Sequence, residues 1–485
     1  MTSKRSAFRL TKHAAGSFLP GSMPASIRRN YRKELPGTAF FSIARAAFDG
    51  AVLGIIVKIA FDGVVDDEFL NTCVAVLSSA PALANIVNFI WARASHGMNK
   101  VKFIAGVQIA LLLQVLLIAL VPKTPEGLVM LCAIIIGVWT CWSGYIAIRS
   151  TIWRNNYPRS LRARVAGKFS TIQTLTLSTL GLALAILMGD KLSLIDPRFS
   201  LESLGLDPIH VFRVYIVVCV LFGAAGIAIL STIRVRKHKQ MLRDERESIS
   251  ERSGPTINPV GVIRLLLEDK RFGVYQVNQF LMGMGNLMIM PLVPILFRDR
   301  FGIEYFEGIL LASVIPMAVV PVMIPVWARL LDRVHVVMFR AYHCWVFILI
   351  IILLLLASVL QQKWLLYITV ALKGAAMAGG MLAWQLGHHD FAPKERAGEY
   401  MGVHVTLTGV RGLIGPIVSV LLYNELAQRN PELAPWVLLV CLALVVTGAI
   451  GFVMMARRLD LTPTNDEGPA TSKTKGPEPV SRAEV

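Results

Sequence analysis

Long apolar segments dominate this chain of 485 residues and limit what it can fold into. Hydrophobic residues make up 55% of the sequence, and the mean hydropathy is +0.59. A helix needs roughly 20 largely apolar residues to cross the hydrocarbon core of a bilayer, and about twelve segments reach that length. They are too long and too continuously apolar for the strands of a membrane barrel. The sequence therefore predicts an all-α membrane protein with about twelve transmembrane helices.

The apolar segments form two sets of six. The tripeptide Trp91-Ala92-Arg93 ends the second segment of the first set and recurs as Trp327-Ala328-Arg329, an offset of 327 − 91 = 236 residues. Two six-helix halves repeated in parallel are the layout of many secondary transporters. The predicted spans lie at roughly 37–61, 68–92, 101–121, 127–150, 165–188 and 210–234 in the first half, and roughly 273–297, 305–330, 336–360, 364–387, 398–423 and 434–456 in the second.

The net charge of +18 is distributed unevenly over the predicted loops. About 37 of the Lys and Arg residues lie on the side shared by both termini, and about 8 lie on the other side. Because basic loops stay in the cytoplasm, both termini are predicted to be cytoplasmic, with the bacterial inner membrane as the expected location. Attraction to anionic membrane lipids accounts for the charge, so no nucleic-acid partner is expected.

Changes in composition divide the chain into five regions. The six cysteines all lie in predicted helices and are interpreted as small apolar residues. The stretch after the central linker predicts an amphipathic segment on the membrane surface. The regions are a basic cytoplasmic arm (1–35), a first six-helix half (36–235), a cytoplasmic linker with the amphipathic segment (236–271), a second six-helix half (272–457) and a disordered cytoplasmic tail (458–485).

A charged loop motif follows each repeated tripeptide. In the second half Ala328, Leu330, Asp332 and Arg333 follow the form Gly-x-Leu-Ala-Asp-Arg-x-Gly-Arg-Arg, whereas His96 takes the place of the Asp in the first half. With two halves of six helices and a basic linker, the chain resembles the major facilitator superfamily over roughly residues 36 to 457. The resemblance implies a transporter in which such loops pair charges with neighbouring helix ends and release them when the halves rock.

On the basis of this resemblance, gating roles are predicted for Arg93, Arg329, Asp332 and Arg333. A role as positively charged membrane anchors is the alternative, and for His96 it is the favoured one. The resemblance also implies a monomer in contact with membrane lipids.

Several charged residues lie deep inside predicted helices. Arg45 is about 8 residues into the first helix, roughly 12 Å deep, and Asp49 is one turn deeper on the same face. Lys373 and Arg411 are similarly deep, with no carboxylate nearby in the sequence. Because a buried charge costs at least ~2.5 kcal/mol, three deep cations against one acid favour an anionic substrate. Lys58 lies nearer the end of its helix and is expected to reach water.

These charges and the family resemblance together give the candidate site. Asp49 and His404 are predicted coupling residues, because a carboxylate or an imidazole can carry a proton. Ordinary packing is the alternative for the aromatic residues and for His404, and a helix-stabilising ion pair is the alternative for Arg45 with Asp49. The resemblance places the first, fourth, seventh and tenth helices around a cavity. The predicted substrate-binding residues are Arg45, Lys373, Arg411, Trp142, Tyr145, Gln279 and Asn286.

These features predict a secondary active transporter. It would move a small anionic or zwitterionic organic solute by alternating access, with a coupling proton or ion. Efflux of lipid or drug-like compounds and a transporter-like sensor or scaffold are the alternatives. An enzyme is not expected, because the sequence shows no phosphate loop, nucleophile elbow or zinc-protease helix. Neither a metal nor a cofactor is predicted.

Overall fold

A computed structural model describes residues 16–194, 196–248, 259–393 and 396–458. Twelve of its helices are long and apolar enough to cross a membrane, and we number them α1 to α12. The predicted tail after residue 458, the start of the predicted arm and residues 249–258 of the predicted linker lie outside the described residues. The first half comprises α1 (Ala25–Ala46 and Gly50–Ala60), α2 (Asp67–Ile86), α3 (Lys100–Ile118), α4 (Pro125–Asn156), α5 (Arg159–Met188) and α6 (Pro208–Leu230).

The second half repeats this order of helices. The surface helix Pro259–Glu268 precedes it, where the amphipathic segment is predicted. A linker helix, His238–Ser248, follows α6. The second half comprises α7 (Lys270–Phe301), α8 (Tyr305–Leu331), α9 (Val336–Leu360), α10 (Lys363–Leu386), α11 (Ala397–Arg429) and α12 (Val437–Arg458).

Equivalent helices pack together in the two halves. In the first half α1 packs on α6, and α2 and α3 pack on α4; in the second, α7 packs on α12, and α8 and α9 pack on α10. The halves meet where α2 contacts α11 and where α5 contacts α8. This matched pairing confirms the predicted arrangement of two six-helix halves.

The repeated tripeptide has the same structural role in each half. Trp91 Nε1 donates a hydrogen bond to the carbonyl oxygen of Thr140 on α4, at 2.8 Å. Trp327 Nε1 donates to the carbonyl oxygen of Ala375 on α10, also at 2.8 Å. A buried indole N–H needs such a partner, so each tryptophan fastens the end of one helix to the interior of the next but one.

The polar start of α1 is helical because it has its own apolar contacts. Ile27 and Tyr31 pack against Tyr157 and Phe169 at the ends of α4 and α5, in a small cluster separate from the main core. Lys168 on α5 donates to the carbonyl oxygen of Ser17, which ties the segment before α1 to the same helices. These contacts explain why α1 begins at Ala25, earlier than hydropathy alone predicts.

Polar contacts between the halves lie at one end and at mid-membrane. We call the end with the start of α1 and the end of α12 the terminal end, and the opposite one the distal end. Distal contacts include Asn71 Nδ2 donating to Asn424 Oδ1 at 3.0 Å. Nearer the middle, Ser178 Oγ donates to the carbonyl oxygen of Val314 at 3.1 Å. The contacts at the distal end therefore close this conformation distally.

Glycines allow the closest helix approaches within each half. A Cβ atom at Gly448 on α12 would lie 2.7 Å from the carbonyl oxygen of Asn278 on α7. A Cβ at Gly226 on α6 would lie 2.7 Å from the backbone nitrogen of Phe41 on α1. Both distances are shorter than carbon atoms tolerate, so each helix pair depends on its glycine.

Replacing Gly448 with leucine is expected to lower the thermal unfolding midpoint, because the side chain would force α12 away from α7. Overpacking of this kind costs about 1–3 kcal/mol. Unfolding can be followed with a thiol-reactive dye, since all six cysteines are buried and free. Gly106→Leu is the matched control, because a Cβ at Gly106 meets nothing within 4 Å. Equal midpoints for the two variants would contradict this role of Gly448.

Candidate functional site

The first membrane helix is interrupted in its middle. Ala47, Phe48 and Asp49 separate its two segments, and Asp49 has an extended backbone with φ −65° and ψ 117°. Arg45, in the last turn before the interruption, places its Nη2 3.7 Å from Asp49 Oδ1, with both side chains buried. The two deep charges predicted to share a face therefore form an ion pair, and they do so at a break in the helix.

Aromatic rings surround the Arg45 guanidinium. Its Cζ lies 4.8 Å from the ring centroid of Phe48, 4.6 Å from that of Trp139 and 5.6 Å from that of Trp142. Rings attract a cation through their negative faces. The Arg45 Nη1 atom has no hydrogen-bond partner in the described part of the chain. The aromatic wall therefore stabilises the charge while leaving a donor unused.

Of the two fourth-helix residues predicted to bind substrate, only Trp142 is partly exposed. Tyr145 is buried, with its ring centroid 5.0 Å from those of both Phe41 and Trp142. In this conformation Tyr145 supports Trp142 from the interior of the first half.

Asp49 also contacts the second half of the protein. Ser313 Oγ on α8 donates a hydrogen bond to Asp49 Oδ2 at 2.7 Å, and Ser313 is fully buried. Ser313 belongs to a π-helical stretch, Leu310–Val314, within α8. Such wide turns occur frequently at functional sites. Lys373 on α10 is partly exposed and interacts electrostatically with Asp49. We call Arg45, Asp49, Ser313 and Lys373, with Trp139 and Trp142, the central site.

Arg411 lies in a different group of residues. It is buried within the second half, where it donates to the carbonyl oxygen of Gln279 on α7 and, at 3.0 Å, to Thr408 Oγ1. Arg340 on α9 is within electrostatic reach of it. The three predicted deep cations therefore have different partners: Arg45 pairs with Asp49, Lys373 is within electrostatic reach of Asp49, and Arg411 is bound by Gln279 and Thr408.

Two other predicted residues of the second half, His404 and Gln279, lie close to Arg411. His404 is buried, with its Nδ1 3.2 Å from Gln276 Oε1. Gln279 is also buried, and Arg411 binds its backbone carbonyl instead of its side chain. Asn286, two turns further along α7, is partly exposed.

At the distal end, a buried lysine joins the halves. Lys58 is only 1% exposed, so the expectation that it reaches water is wrong. Its ammonium lies 2.9 Å from Asp299 Oδ1 on α7 and donates to Asn71 Oδ1 at 2.9 Å. Arg298 adds a second link between the halves, 2.7 Å from Asp62. Lys58 thus binds one acceptor from each half, and we call Lys58, Asn71, Asp299, Asp62 and Arg298 the distal lock.

The predicted gating loops are at the terminal end. Arg93, Arg329, Asp332 and Arg333 are all exposed, and none of them forms an ion pair with another described residue. In the first half a carboxylate comes instead from the linker helix. Glu245 Oε2 accepts from the backbone N–H of Gly97 at 2.8 Å and lies 2.7 Å from Lys100 Nζ.

Sequence reasoning missed a second buried ion pair in the first half. Glu34 on α1 lies 3.7 Å from Arg149 on α4, accepts a 2.5 Å hydrogen bond from the Tyr157 hydroxyl and accepts another from Trp153 Nε1. Glu34 had been assigned to the arm before the first span. An acid next to an aromatic-rich helix end was the available signal, but a carboxylate just outside an apolar segment is ordinarily in water.

Comparison with protein-family models gives a match to the major facilitator superfamily over residues 38–416 and, in a second alignment, 277–483. No curated protein matches the sequence of the chain significantly.

Solved structures of transporters share the fold. The nucleoside transporter NupG matches with a TM-score of 0.58 and 15% identity, covering 87% of this chain and 99% of its own. A bacterial homolog of the human lysosomal transporter Spinster matches with a TM-score of 0.60 and 15% identity, covering 89% and 97%. The xylose transporter XylE from E. coli matches with a TM-score of 0.62 and 10% identity, covering 90% and 99%. At these identities the likeness shows the fold alone.

Replacing Lys58 with methionine is expected to separate the halves at the distal end, because Asp299 loses its cationic partner. Hydrogen bonds to charged groups contribute roughly 1.5–3 kcal/mol, so the ratio of closed to open molecules should fall by about tenfold or more. The distance between spin labels at Lys123 and Gln361 reports the separation of the halves. Both residues are exposed at the distal end, Lys123 on the first half and Gln361 on the second.

Arg429→Gln is the control for this experiment. It removes an exposed ion pair with Glu425 within α11, at the same end of the protein, without touching a contact between the halves. The label distances should then stay at the wild-type value. Unchanged distances in both Lys58→Met and Asp299→Asn would show that the distal lock does not hold the halves together.

Proposed function

The chain belongs to the major facilitator superfamily, and we propose that it is a secondary active transporter of a small anionic or zwitterionic organic solute. The observation that carries the choice of solute is the charge of the central site. Arg45 pairs with Asp49, and Lys373 lies within electrostatic reach of the same carboxylate without forming an ion pair with it. One positive charge is left over, and a solute with a carboxylate or phosphate group would compensate it.

The position of the central site suits alternating access. Asp49 lies at the interruption of α1 and is bound by Ser313 from the other half. A solute bound here would touch both halves, so its binding energy can differ between conformations, as coupling requires. The partly exposed Trp142, Lys373 and Asn286 are available to such a solute.

The orientation follows from the distribution of basic residues. We infer that the terminal end faces the cytoplasm, with the bacterial inner membrane as the location. The closed distal lock then makes this the inward-facing conformation. Rocking of the halves would break the contacts of Lys58 and Arg298 and expose the central site to the other side of the membrane.

Asp49 is the group that we propose couples transport to a proton. As a carboxylate it accepts the hydrogen bond from Ser313 and neutralises Arg45. Adding a proton would weaken both contacts and with them a link between the halves. Proton binding and the rocking movement would thereby affect each other.

A thermal-shift screen of anionic metabolites on the purified protein would identify the solute, since a ligand that binds only the folded state raises its stability. The shifts in thermal midpoint caused by monocarboxylates, amino acids and phosphorylated sugars should be compared with those caused by neutral sugars. Stabilisation by neutral sugars alone would contradict the proposed solute class.

Arg45→Gln and Lys373→Gln are each expected to reduce uptake of the identified solute by proteoliposomes by at least tenfold, because each removes a cation from the central site. Lys363→Gln is the matched control, since Lys363 is an exposed lysine at the distal end of the same helix as Lys373. If Arg45→Gln and Lys373→Gln both unfold at the wild-type temperature and both show wild-type uptake, the central site does not bind the solute.

Asp49→Asn is expected to abolish the pH dependence of uptake, because an amide keeps the shape of the side chain but cannot take up a proton. The measurement is initial uptake rate against external pH in proteoliposomes with and without an imposed proton gradient. A wild-type pH profile in this variant would assign coupling to another group.

A further inference from the structure

Two buried arginines in the second half have no acidic partner. Arg340 on α9 is 2% exposed and Arg411 on α11 is 4% exposed. Neither forms an ion pair with a carboxylate in the portion of the chain that the structure describes. Both act electrostatically on Tyr275 of α7, and a Cβ at Gly387 would meet the Tyr275 hydroxyl at 3.0 Å and also Val336, one turn before Arg340 on α9. Burying a charge costs several kcal/mol unless it is paired, so two adjacent unpaired guanidinium groups need an explanation.

Unused hydrogen-bond donors accompany these charges. The Nε atoms of Arg340 and Arg411, the Tyr275 hydroxyl and the Gln276 amide nitrogen are all buried without a hydrogen-bond partner among the described residues. Tyr275, on α7, has its hydroxyl beside the Arg340 guanidinium and also interacts with Arg411. Buried donors of this kind are normally satisfied, and a ligand with several acceptor atoms would satisfy these four together.

The protein fixes the orientation of the arginines without neutralising them. Arg411 is held by the carbonyl oxygen of Gln279 and by Thr408. Gly283 on α7 makes room for it, because a Cβ there would lie 2.5 Å from Arg411 Cζ. The acid that reaches this region electrostatically is Asp390, an exposed residue whose Oδ2 accepts from the Val336 N–H at 2.7 Å. Asp390 therefore caps α9 and leaves both guanidinium charges uncompensated.

We propose that Arg340, Arg411, Tyr275 and Gln276 form a binding site for a small oxyanion, a carboxylate or a phosphate group, inside the second half. Guanidinium groups are strong donors to these anions, which suits two arginines whose Nε atoms have no partner among the described residues. None of the four residues of this site belongs to the central site. The oxyanion site does not depend on the proposed transport of an organic solute.

Binding can be measured without transport. The thermal midpoint of the purified full-length protein should rise by on the order of a few degrees when chloride is replaced by inorganic phosphate or acetate at constant ionic strength. Arg340→Gln and Arg411→Gln should each lose this rise. Because each removes an uncompensated buried cation, they should unfold in chloride at or above the wild-type temperature.

Two further variants control for effects on folding. Tyr275→Phe removes one neutral donor and should raise the phosphate concentration needed for half of the stabilisation by about tenfold. Arg457→Gln changes an exposed arginine of the same half and should keep the full wild-type response. Equal stabilisation of wild type and Arg411→Gln by phosphate would overturn the site. So would the absence of any oxyanion effect, or an equal effect of chloride.

The source of the anion is a separate question, which labelled phosphate in proteoliposomes would answer. Transport of labelled phosphate that requires Arg340 would show that the bound oxyanion is a transported solute. Stabilisation by phosphate without movement would assign it to a free anion resident on the second half. Either result retains the site, and neither depends on the outcome of the Arg45 and Lys373 experiments.

Discussion

Charge buried in an apolar interior has to be compensated, and the protein meets this requirement differently at each level of the membrane. At the middle, Arg45 is neutralised by Asp49 and shielded by Phe48, Trp139 and Trp142. At the distal end, Lys58 is neutralised from the other half by Asp299. Near the terminal end, Glu34 and Arg149 form a pair inside the first half. The contacts that compensate charge are thus also the contacts that set the conformation.

Asp49 shows how the two effects combine in one residue. It breaks the first helix, pairs with Arg45 in its own half and accepts from Ser313 of the other half. A π-helical stretch places Ser313 where the two halves touch. Any change in the charge of Asp49 therefore acts at once on a buried cation and on a contact between the halves.

The two halves are alike in their packing and different in their chemistry. Equivalent helices pair in both, and both repeated tryptophans bind equivalent backbone carbonyls. Among the described residues, the first half contains two internal ion pairs with both partners largely buried, Arg45 with Asp49 and Glu34 with Arg149, whereas Arg340 and Arg411 of the second have no acidic partner. Duplication fixes a scaffold of apolar contacts, and polar residues can then diverge on it.

Much of the fold was predictable, because hydropathy depends only on local sequence. Twelve spans and two halves follow from segment length, and the structure has both. The contacts of the candidate site were harder to predict from the sequence. The sequence identifies Arg45 with Asp49 because the residues are one turn apart, but Lys58 with Asp299 and Glu34 with Arg149 join residues on different helices. Arg340 was overlooked because it lies near the start of its predicted span, where an arginine can ordinarily reach water.

The sequence by itself determined the architecture and the presence of deep charges, since apolar length and the cost of a buried ion are properties of single helices. Tertiary structure decided which charges are neighbours. It placed Arg411 against Gln279 and Thr408, gave Asp49 a partner on the other half and joined Glu245 of the linker to the loop where His96 replaces an acid. The physical reason is that pairing depends on distances between helices, which are set by how close neighbouring side chains, above all glycines, let those helices approach.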